Sequence, residues 1–144
     1  MTRIEDFLKQ NKDRKIWTIS KDQSVRQALT LMSEKNIGAI IIVDNNDFPI
    51  GIFSERDYAR KIVLKGKSSK DTLLDEVMTK ELITITKDNK IDQCMEIMTE
   101  KKIRHLPVLE DKKIVGIISI GDLLKIMIKE QKELIDHLQK FITS

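Results

Sequence analysis

The chain has 144 residues, of which 40% are hydrophobic and 34% charged, which suits one compact domain or two small, closely packed halves. Its 26 basic and 23 acidic residues leave a net charge of +3, too small to indicate nucleic-acid binding by itself. A single cysteine excludes an intramolecular disulfide. The apolar runs are too short for a secretory signal or a membrane span, so we expect a cytoplasmic protein that binds neither membrane nor nucleic acid.

The sequence contains an internal repeat. Thr18–Val43 matches Thr84–Leu109 with nine identities in 26 positions, and the phrase "GIFSERD" returns as "GIISIGD". Each copy has an extended piece ("TISKD" or "TITKD"), an amphipathic helix, two short β-branched strands and a second helix. The predicted fold class is therefore α/β (α+β), built from two pseudo-symmetric β-α-β-β-α repeats.

The first helix of each copy has one apolar face, with residues at i, i+3, i+4 and i+7. These residues are Val25, Ala28, Leu29 and Met32 in copy one, and Ile91, Cys94, Met95 and Met98 in copy two. Cys94 thus lies on the stripe that should face the core. This position favours a core cysteine, and a catalytic nucleophile is the alternative.

A single repeat has too little core to be stable alone, whereas two repeats can bury the faces of their sheets against each other. We therefore predict five segments along the chain. They are an N-terminal helix or extension (1–16), repeat one (17–64), a connector with a charged loop and a short helix (65–82), repeat two (83–127) and a C-terminal helical extension (128–144). The apolar stripe of that last helix outlasts the repeat, so it needs a partner, either the N-terminal helix or a second subunit.

A Ser-x-x-Asp motif follows the last strand of each copy, as Ser54 and Asp57 and again as Ser119 and Asp122. At a helix start this pattern is a capping box and needs no ligand. A glycine in the preceding strand, free N–H groups at the helix start and a carboxylate able to accept both ribose hydroxyls also describe a nucleotide site. The two interpretations are compatible, since one carboxylate can serve both.

The two copies, with "RHLPV" in copy two and "VMT" between the copies, resemble a tandem pair of cystathionine β-synthase (CBS) domains over Trp17 to about Met127. The resemblance implies two repeats packed sheet to sheet into one disc-like module, with two clefts related by a pseudo-twofold axis. It also implies that these clefts bind an adenosine-type ligand. AMP is the first choice, with ADP, ATP, NAD and S-adenosylmethionine as alternatives, and no catalytic cofactor is implied.

Carried over by position, the resemblance assigns residues to each cleft. Cleft one would be formed by Ser54, Arg56, Asp57, Met78, Thr79, Ile83, Arg104, His105, Leu106 and Pro107. Cleft two would be formed by Trp17, Gly38, Ala39, Ser119 and Asp122. Copy two has Gly121 where copy one has Arg56, and copy one has Gly38 and Ala39 where copy two has Arg104 and His105. Both differences favour cleft one for a charged nucleotide, and they predict that cleft two is weak or empty.

Several of these residues have an ordinary structural interpretation as well. His105 could contact phosphate, lie on the surface or at a dimer interface, or bind a metal. With His137 as the one other histidine, we predict no metal site. Trp17 could anchor packing or contact a ligand. The loop "KGKSSK" lacks the glycine frame of a phosphate loop, and spacing selects no pair of carboxylates for acid–base catalysis, so we expect no catalytic residue.

We therefore expect a non-catalytic, regulatory adenine-nucleotide sensor that forms a homodimer and acts on an unidentified partner through a ligand-driven population shift. An enzyme using Cys94 or His105 is one alternative. A nucleic-acid module is another, although aromatic residues make up only 4% of the chain. A structural dimerisation module with vestigial clefts is the third.

Overall fold

The computed structural model describes residues 2–143. In chain order the elements are α1 Ile4–Gln10, β1 Thr18–Ser20, α2 Val25–Lys35, β2 Ala39–Val43, β3 Pro49–Ser54, α3 Glu55–Asp57 continued by a π-helix at Tyr58–Val63, α4 Leu74–Val77, α5 Ile91–Lys101, β4 His105–Glu110, β5 Lys113–Ser119 and α6 Ile120–Thr143. This mixed α+β architecture of two repeats confirms the predicted fold class.

The two repeats have similar but unequal sheets. In repeat one, β1 is parallel to β2 and β2 is antiparallel to β3. In repeat two, β4 and β5 pair in the same antiparallel way. The predicted first strand, "TITKD", is shortened there to a single parallel bridge between Ile85 and Val108. Pro107 accounts for the loss on one side of that bridge, because it stands where repeat one has Ile41 and cannot donate an N–H to a parallel ladder.

Each repeat has a hydrophobic core of its own, which is completed by a helix from outside the repeat. Repeat one packs α2 and its sheet against the connector helix α4, which contributes Leu74 and Val77. Repeat two packs α5, its sheet and the start of α6 against the N-terminal helix α1, which contributes Ile4 and Phe7. The N-terminal helix thus precedes repeat one in sequence but stabilises repeat two.

Helices α1 and α4 dock in the same way, so the duplication reaches further than the sequence comparison showed. The amide of Ile4 donates to the Asn89 carbonyl at 2.9 Å, and the amide of Leu74 donates to the Gln23 carbonyl at 2.9 Å. The starts of α1 and α4 are 70 residues apart (4 and 74), whereas the detected repeat has a spacing of 66. That change of spacing hid the correspondence.

The two sheets face each other across the middle of the molecule, as predicted. Strand β2 is buried along its whole length. Ile40 and Ile42 point into the core of repeat one, and Ile41 points the other way, where it lines a cavity together with Ile117 of repeat two. A second cavity lies between Ile52 of repeat one and Pro107 of repeat two. The contact between the sheets is thus flanked by two clefts.

The last helix extends beyond the core. Helix α6 contributes Leu123 to the core of repeat two. Further along, Glu130 accepts hydrogen bonds from the amide and hydroxyl of Thr2. Apolar side chains at Leu124, Ile128, Leu134, Ile135, Leu138 and Ile142 are exposed. Among residues 2–143 we find no helix with the combination of length and apolar character that a membrane span requires.

Candidate functional site

Both Ser-x-x-Asp motifs form capping boxes. In repeat one the Ser54 amide donates to Asp57 Oδ2 at 2.9 Å, and the Asp57 amide donates to Ser54 Oγ at 3.2 Å. Repeat two reproduces this geometry, with 2.9 Å from the Ser119 amide to Asp122 Oδ2 and 3.1 Å from the Asp122 amide to Ser119 Oγ. Each backbone cap uses only Oδ2 of the aspartate. The other oxygen, Oδ1, can therefore bind a second group.

The strand register places each motif at an edge of the sheet where the repeats meet. Ser54 pairs with Ala39, and Ser119 pairs with His105, at equivalent positions of the two sheets. The next amide after each serine bonds across the strand end, from Glu55 to the Gly38 carbonyl at 3.1 Å and from Ile120 to the Arg104 carbonyl at 2.9 Å. Residues 38–39 and 104–105 are thereby fixed beside the aspartates.

Cleft one is a cavity of about 290 Å³ between the two repeats. It is lined by the residues predicted for it, except Met78 and Leu106. Leu106 is buried in the core of repeat two, and Met78 packs in the core of repeat one against Gly51. The lining also includes residues that sequence reasoning missed: Gly38, Ile52, Glu55, Arg60, Glu81, Leu82, Lys102 and Ile103.

Cleft one combines apolar walls with a mixed ring of charges. Its cations are Arg56, Arg60, Lys102 and Arg104, and its carboxylates are Glu55, Asp57 and Glu81. Arg56 Nη1 donates to the Lys102 carbonyl at 3.2 Å and so links the helix of repeat one to the end of α5 in repeat two. A ligand with negative charge and an apolar ring would find partners for both parts here.

The aspartate of cleft one is connected to the connector segment. Lys61 Nζ lies 3.3 Å from Asp57 Oδ1 and donates to the Val77 carbonyl at 2.8 Å. Thr79 Oγ1 lies 3.4 Å from Asp57 Oδ1 and accepts from Lys61 Nζ at 3.1 Å. Sequence reasoning missed Lys61, although its i+4 spacing from Asp57 on a predicted helix is a recognisable signal for an ion pair.

Cleft two is a cavity of about 440 Å³ on the other side of the sheet contact. All residues predicted for it line its wall: Trp17, Gly38, Ala39, Ser119 and Asp122. Arg14, Lys15 and Lys35 line it as well. Two of these cations lie close to the Trp17 ring, with Lys35 Nζ at 4.3 Å and Lys15 Nζ at 5.8 Å from its centroid. Cleft two is therefore also basic.

Arg14 supplies cleft two with a cation beside its Ser-x-x-Asp motif, although the position that matches Arg56 is Gly121. Its Nη1 and Nη2 atoms donate to Asp122 Oδ2 at 3.1 Å and Oδ1 at 3.2 Å. Nη2 also donates to Asn11 Oδ1 at 3.1 Å, and the guanidinium lies 5.4 Å from the Phe7 ring centroid. Burial opposes ionisation of Asp122, but hydrogen bonds from Arg14 and Ser119 outweigh it and hold the pKa of Asp122 below its usual 3.8.

His105 lines both clefts. Its ring approaches the backbone of Gly38, where a Cβ would meet Cε1 and Nε2 at 3.8 Å. Burial lowers the pKa of His105 below 6.5, although Asp122 and Glu55 act in the opposite direction. The imidazole is therefore neutral near pH 7. Within residues 2–143, His, Cys, Asp and Glu side chains form no group of three or more placed to hold a metal ion.

Cys94 lies in the core of repeat two, at the position that Ala28 holds in repeat one. Burial, followed by the nearby charge of Asp92, raises the pKa of the thiol to about 11. A buried, protonated thiol is a poor nucleophile. The structure thus favours the core interpretation of Cys94 over the catalytic one.

Comparison with known proteins gives a consistent result. The family model for the CBS domain matches residues 5–64 and 74–129, one match in each half. The mitochondrial CBS domain-containing protein CBSX3 of Arabidopsis thaliana is 39% identical over 125 residues, which are 84% of this chain and 61% of that protein. The chain thus spans about three fifths of the length of this curated relative.

Two solved structures share the architecture. A protein with CBS domains from Burkholderia ambifaria is 45% identical, with a TM-score of 0.85 over 90% of this chain and 96% of that one. The CBS domain pair of protein MJ0100, solved with 5′-methylthioadenosine and S-adenosyl-L-methionine, is 25% identical, with a TM-score of 0.79 over 90% and 98% of the two chains. Together with the matches in both halves, this shows that the chain belongs to the CBS domain family, as a tandem pair of CBS domains.

Proposed function

We propose that this CBS pair is a non-catalytic regulatory module that binds an adenosine-type ligand in cleft one, with AMP as the first choice. The observation that carries the proposal is the position of Asp57. Its Oδ1 atom faces a hydroxyl and an ammonium group at the wall of a cavity that has apolar sides and several arginines. The ribose hydroxyls of a nucleotide need a carboxylate acceptor, its adenine ring needs apolar walls, and its phosphate needs cations.

The pose we propose follows from the chemistry of the lining. The ribose hydroxyls would donate to Asp57 Oδ1, replacing the hydroxyl of Thr79. The adenine ring would lie against Ile52 of repeat one and Pro107 of repeat two, which both line the cavity. The phosphate would lie near Arg56, at the start of the helix, where a cation and the helix dipole both favour an anion. The adenosyl ligands of the MJ0100 complex support this class of ligand.

The size and charge of cleft one favour AMP over the alternatives. A volume of about 290 Å³ is at the small end of small-molecule sites, which suits one nucleotide better than the two nucleotides of NAD. Arg56 and Arg104 would repel the positive sulfonium of S-adenosylmethionine but attract a phosphate. ADP and ATP meet the same cations and would have to extend their further phosphates toward solvent.

Signalling would arise because the cleft is built from separate parts of the chain. Asp57 belongs to repeat one, Thr79 to the connector and His105 to repeat two. A ligand that contacts all three favours the arrangement in which they are close together, and this shifts the population toward that state. A partner protein that distinguishes the two arrangements would then sense the ligand, in keeping with the regulatory character of the family.

We also propose that the chain forms a homodimer through α6. Leu124, Ile128, Ile135, Leu138 and Ile142 are exposed and are spaced by three, four or seven residues, so they form one stripe. Such a stripe suits a second helix with the same spacing, and a second copy of α6 supplies one. Ile135→Lys should convert the dimer to a monomer in sedimentation velocity, whereas Glu133→Lys, on the opposite face, should not. An unchanged mass for Ile135→Lys would contradict this interface.

The experiment that tests the proposed function is ligand-dependent thermal stability of refolded, ligand-stripped protein. AMP, ADP, ATP, NAD and S-adenosylmethionine are compared in parallel. A ligand at 100 times its dissociation constant should stabilise the fold by about 2.7 kcal/mol, which raises the melting temperature by several degrees. We expect the lowest effective concentration for AMP. If none of the five compounds shifts the melting temperature, the clefts are vestigial and the chain is a structural dimerisation module.

We propose that the chain carries out no reaction, and the enzyme interpretation would require turnover of a bound nucleotide, which chromatography of the incubated ligand would detect. We also keep the cytoplasm as the proposed location, although the plant relative is mitochondrial by name. Fractionation of cells that express the chain would decide between these compartments.

A further inference from the structure

Arg14 holds the aspartate of cleft two more completely than any side chain holds the aspartate of cleft one. Its two guanidinium nitrogens bind both carboxylate oxygens of Asp122, at 3.1 and 3.2 Å. In cleft one the cation is Lys61, which lies 3.3 Å from Oδ1 of Asp57. Lys61 belongs to the same helix as Asp57 and also bonds the Val77 carbonyl, so it can keep partners when a ligand arrives.

We infer that Arg14 is an internal occupant of cleft two, which a ribose must displace before it can reach Asp122. The inference rests on the proposed function, because it assigns the same ribose-binding role to Asp122 as to Asp57. A vicinal diol and a guanidinium fork both need the outer edge of the carboxylate, since Oδ2 already accepts from the Ser119 amide at 2.9 Å. The two groups therefore compete for Asp122.

The surroundings of Arg14 keep it in place. Asn11 Oδ1 accepts from Nη2 at 3.1 Å, and the Phe7 ring lies 5.4 Å from the guanidinium. Asn11 is the residue that ends α1, and Phe7 is anchored in the core of repeat two. The position of Arg14 is thus set by a docked helix rather than by the pair alone, which lowers the entropy cost of holding it there.

Displacing Arg14 has a structural consequence. The segment from 11 to 17 joins α1, which packs on repeat two, to β1 of repeat one. Ligand in cleft two would therefore loosen a link between the repeats, whereas ligand in cleft one would tighten the contact between them. Cleft one should fill first and cleft two only at higher concentration. The released guanidinium would lie beside the ligand, so a phosphate should offset part of the cost and neutral adenosine should not.

The test uses the full chain with Asp57→Ala, which weakens binding in cleft one, and two probes, adenosine and AMP. Trp17 is the only tryptophan and lines cleft two, so its fluorescence reports that cleft specifically. Adding Arg14→Ala should tighten adenosine binding by about fivefold or more, because the competing ion pair is lost. Arg14→Lys should give a smaller gain, since lysine cannot form the two-pronged contact. Lys12→Ala, the loss of a neighbouring charge, should change nothing.

Adenosine binding that is unchanged or weaker after Arg14→Ala, in protein shown by circular dichroism to be folded, would overturn the inference. Weaker AMP binding with tighter adenosine binding supports it, and shows that Arg14 contacts the phosphate after displacement. The proposed function is judged separately, by calorimetry of AMP with Asp57 intact. If AMP fails to bind to protein with Asp57 intact, cleft one is not the AMP site. The effect of Arg14→Ala on adenosine binding still decides the role of Arg14.

Discussion

Cleft one and cleft two have the same backbone framework but different side chains around it. In both, a serine and an aspartate cap a helix at the edge where the sheets meet. In cleft one the charge of Asp57 is balanced by Lys61 from its own helix, and in cleft two the charge of Asp122 is balanced by Arg14 from the N-terminal segment. The duplicated motif thus has the same backbone geometry in both clefts, and the cation that contacts its aspartate comes from a different segment in each.

The largest expected effect separates the two aspartates. Asp57→Ala should weaken AMP binding by about tenfold or more, because hydrogen bonds from the ribose to a carboxylate are lost. Asp122→Ala is the matched control, since it removes the same helix cap, worth about 1 kcal/mol, from the other cleft. It should leave the first AMP affinity within about twofold. Isothermal titration calorimetry measures both, and equal losses in the two variants would contradict the assignment of cleft one.

The glycines beside the motifs should differ in their tolerance of a side chain. A Cβ on Gly51 would lie 2.7 Å from Met78 Sδ and 3.0 Å from the carbonyl oxygen of Thr79, which is fixed backbone. A Cβ on Gly116 would meet Leu8 Cδ2 at 2.6 Å, the end of a side chain that can rotate away. Gly51→Ala should therefore lower the free energy of unfolding by about 1–3 kcal/mol and Gly116→Ala by less. Urea denaturation measures both losses. A larger loss for Gly116→Ala than for Gly51→Ala would contradict the prediction and would mean that the connector backbone shifts more easily than the Leu8 side chain.

A smaller effect, confined to acidic pH, should come from His105. Its pKa is lowered in the folded state by burial, so below pH 6.5 the unfolded chain binds a proton that the folded chain resists. The free energy of unfolding should fall as the pH drops from 6.5 through the folded pKa, and His105→Gln should remove that part of the slope. Urea midpoints between pH 5 and 8 measure this slope in a range above the pKa of Asp122, and the comparison with His105→Gln assigns it to the histidine. Parallel pH profiles for wild type and His105→Gln would refute the neutral imidazole.

The smallest effect on stability is expected at Cys94, whose buried sulfur is absent from Ala28 at the matching position of repeat one. Cys94→Ala restores the residue that repeat one has at Ala28 and should lower the free energy of unfolding by only about 1 kcal/mol. With a pKa of about 11, roughly one thiol in a thousand is ionised at pH 8. A thiol reagent should therefore label native protein slowly and urea-unfolded protein fast. Rapid labelling of native protein would contradict the buried, protonated thiol and favour Cys94 as a nucleophile.

The sequence predicted what depends on local pattern. The order of elements, the apolar helix faces and the capping boxes all follow from residues near each other in the chain. The strand "TITKD" was predicted from the same kind of pattern and is shortened on one side by Pro107, which lies in β4 and lacks the N–H that a parallel neighbour would need. The match of Pro107 with Ile41 in the internal repeat is a sequence signal for this loss of strand pairing.

The position of Arg14 could not have been predicted in this way. Nothing in "NKDRKIW" indicates that one arginine reaches Asp122, because its position depends on how α1 docks against repeat two. The docking itself was hidden by the change in repeat spacing between α1 and α4. Residues of cleft two that come from this segment were therefore missed, whereas Trp17 was found through the family resemblance.

We propose that the first ligand enters cleft one while Arg14 keeps cleft two closed. One titration tests it directly: AMP is added to ligand-stripped wild-type protein while heat and Trp17 fluorescence are recorded together. The heat should saturate at one AMP per chain, while the emission of Trp17, in cleft two, should stay constant until higher AMP concentrations. A change in Trp17 emission in step with the first equivalent of AMP would contradict it.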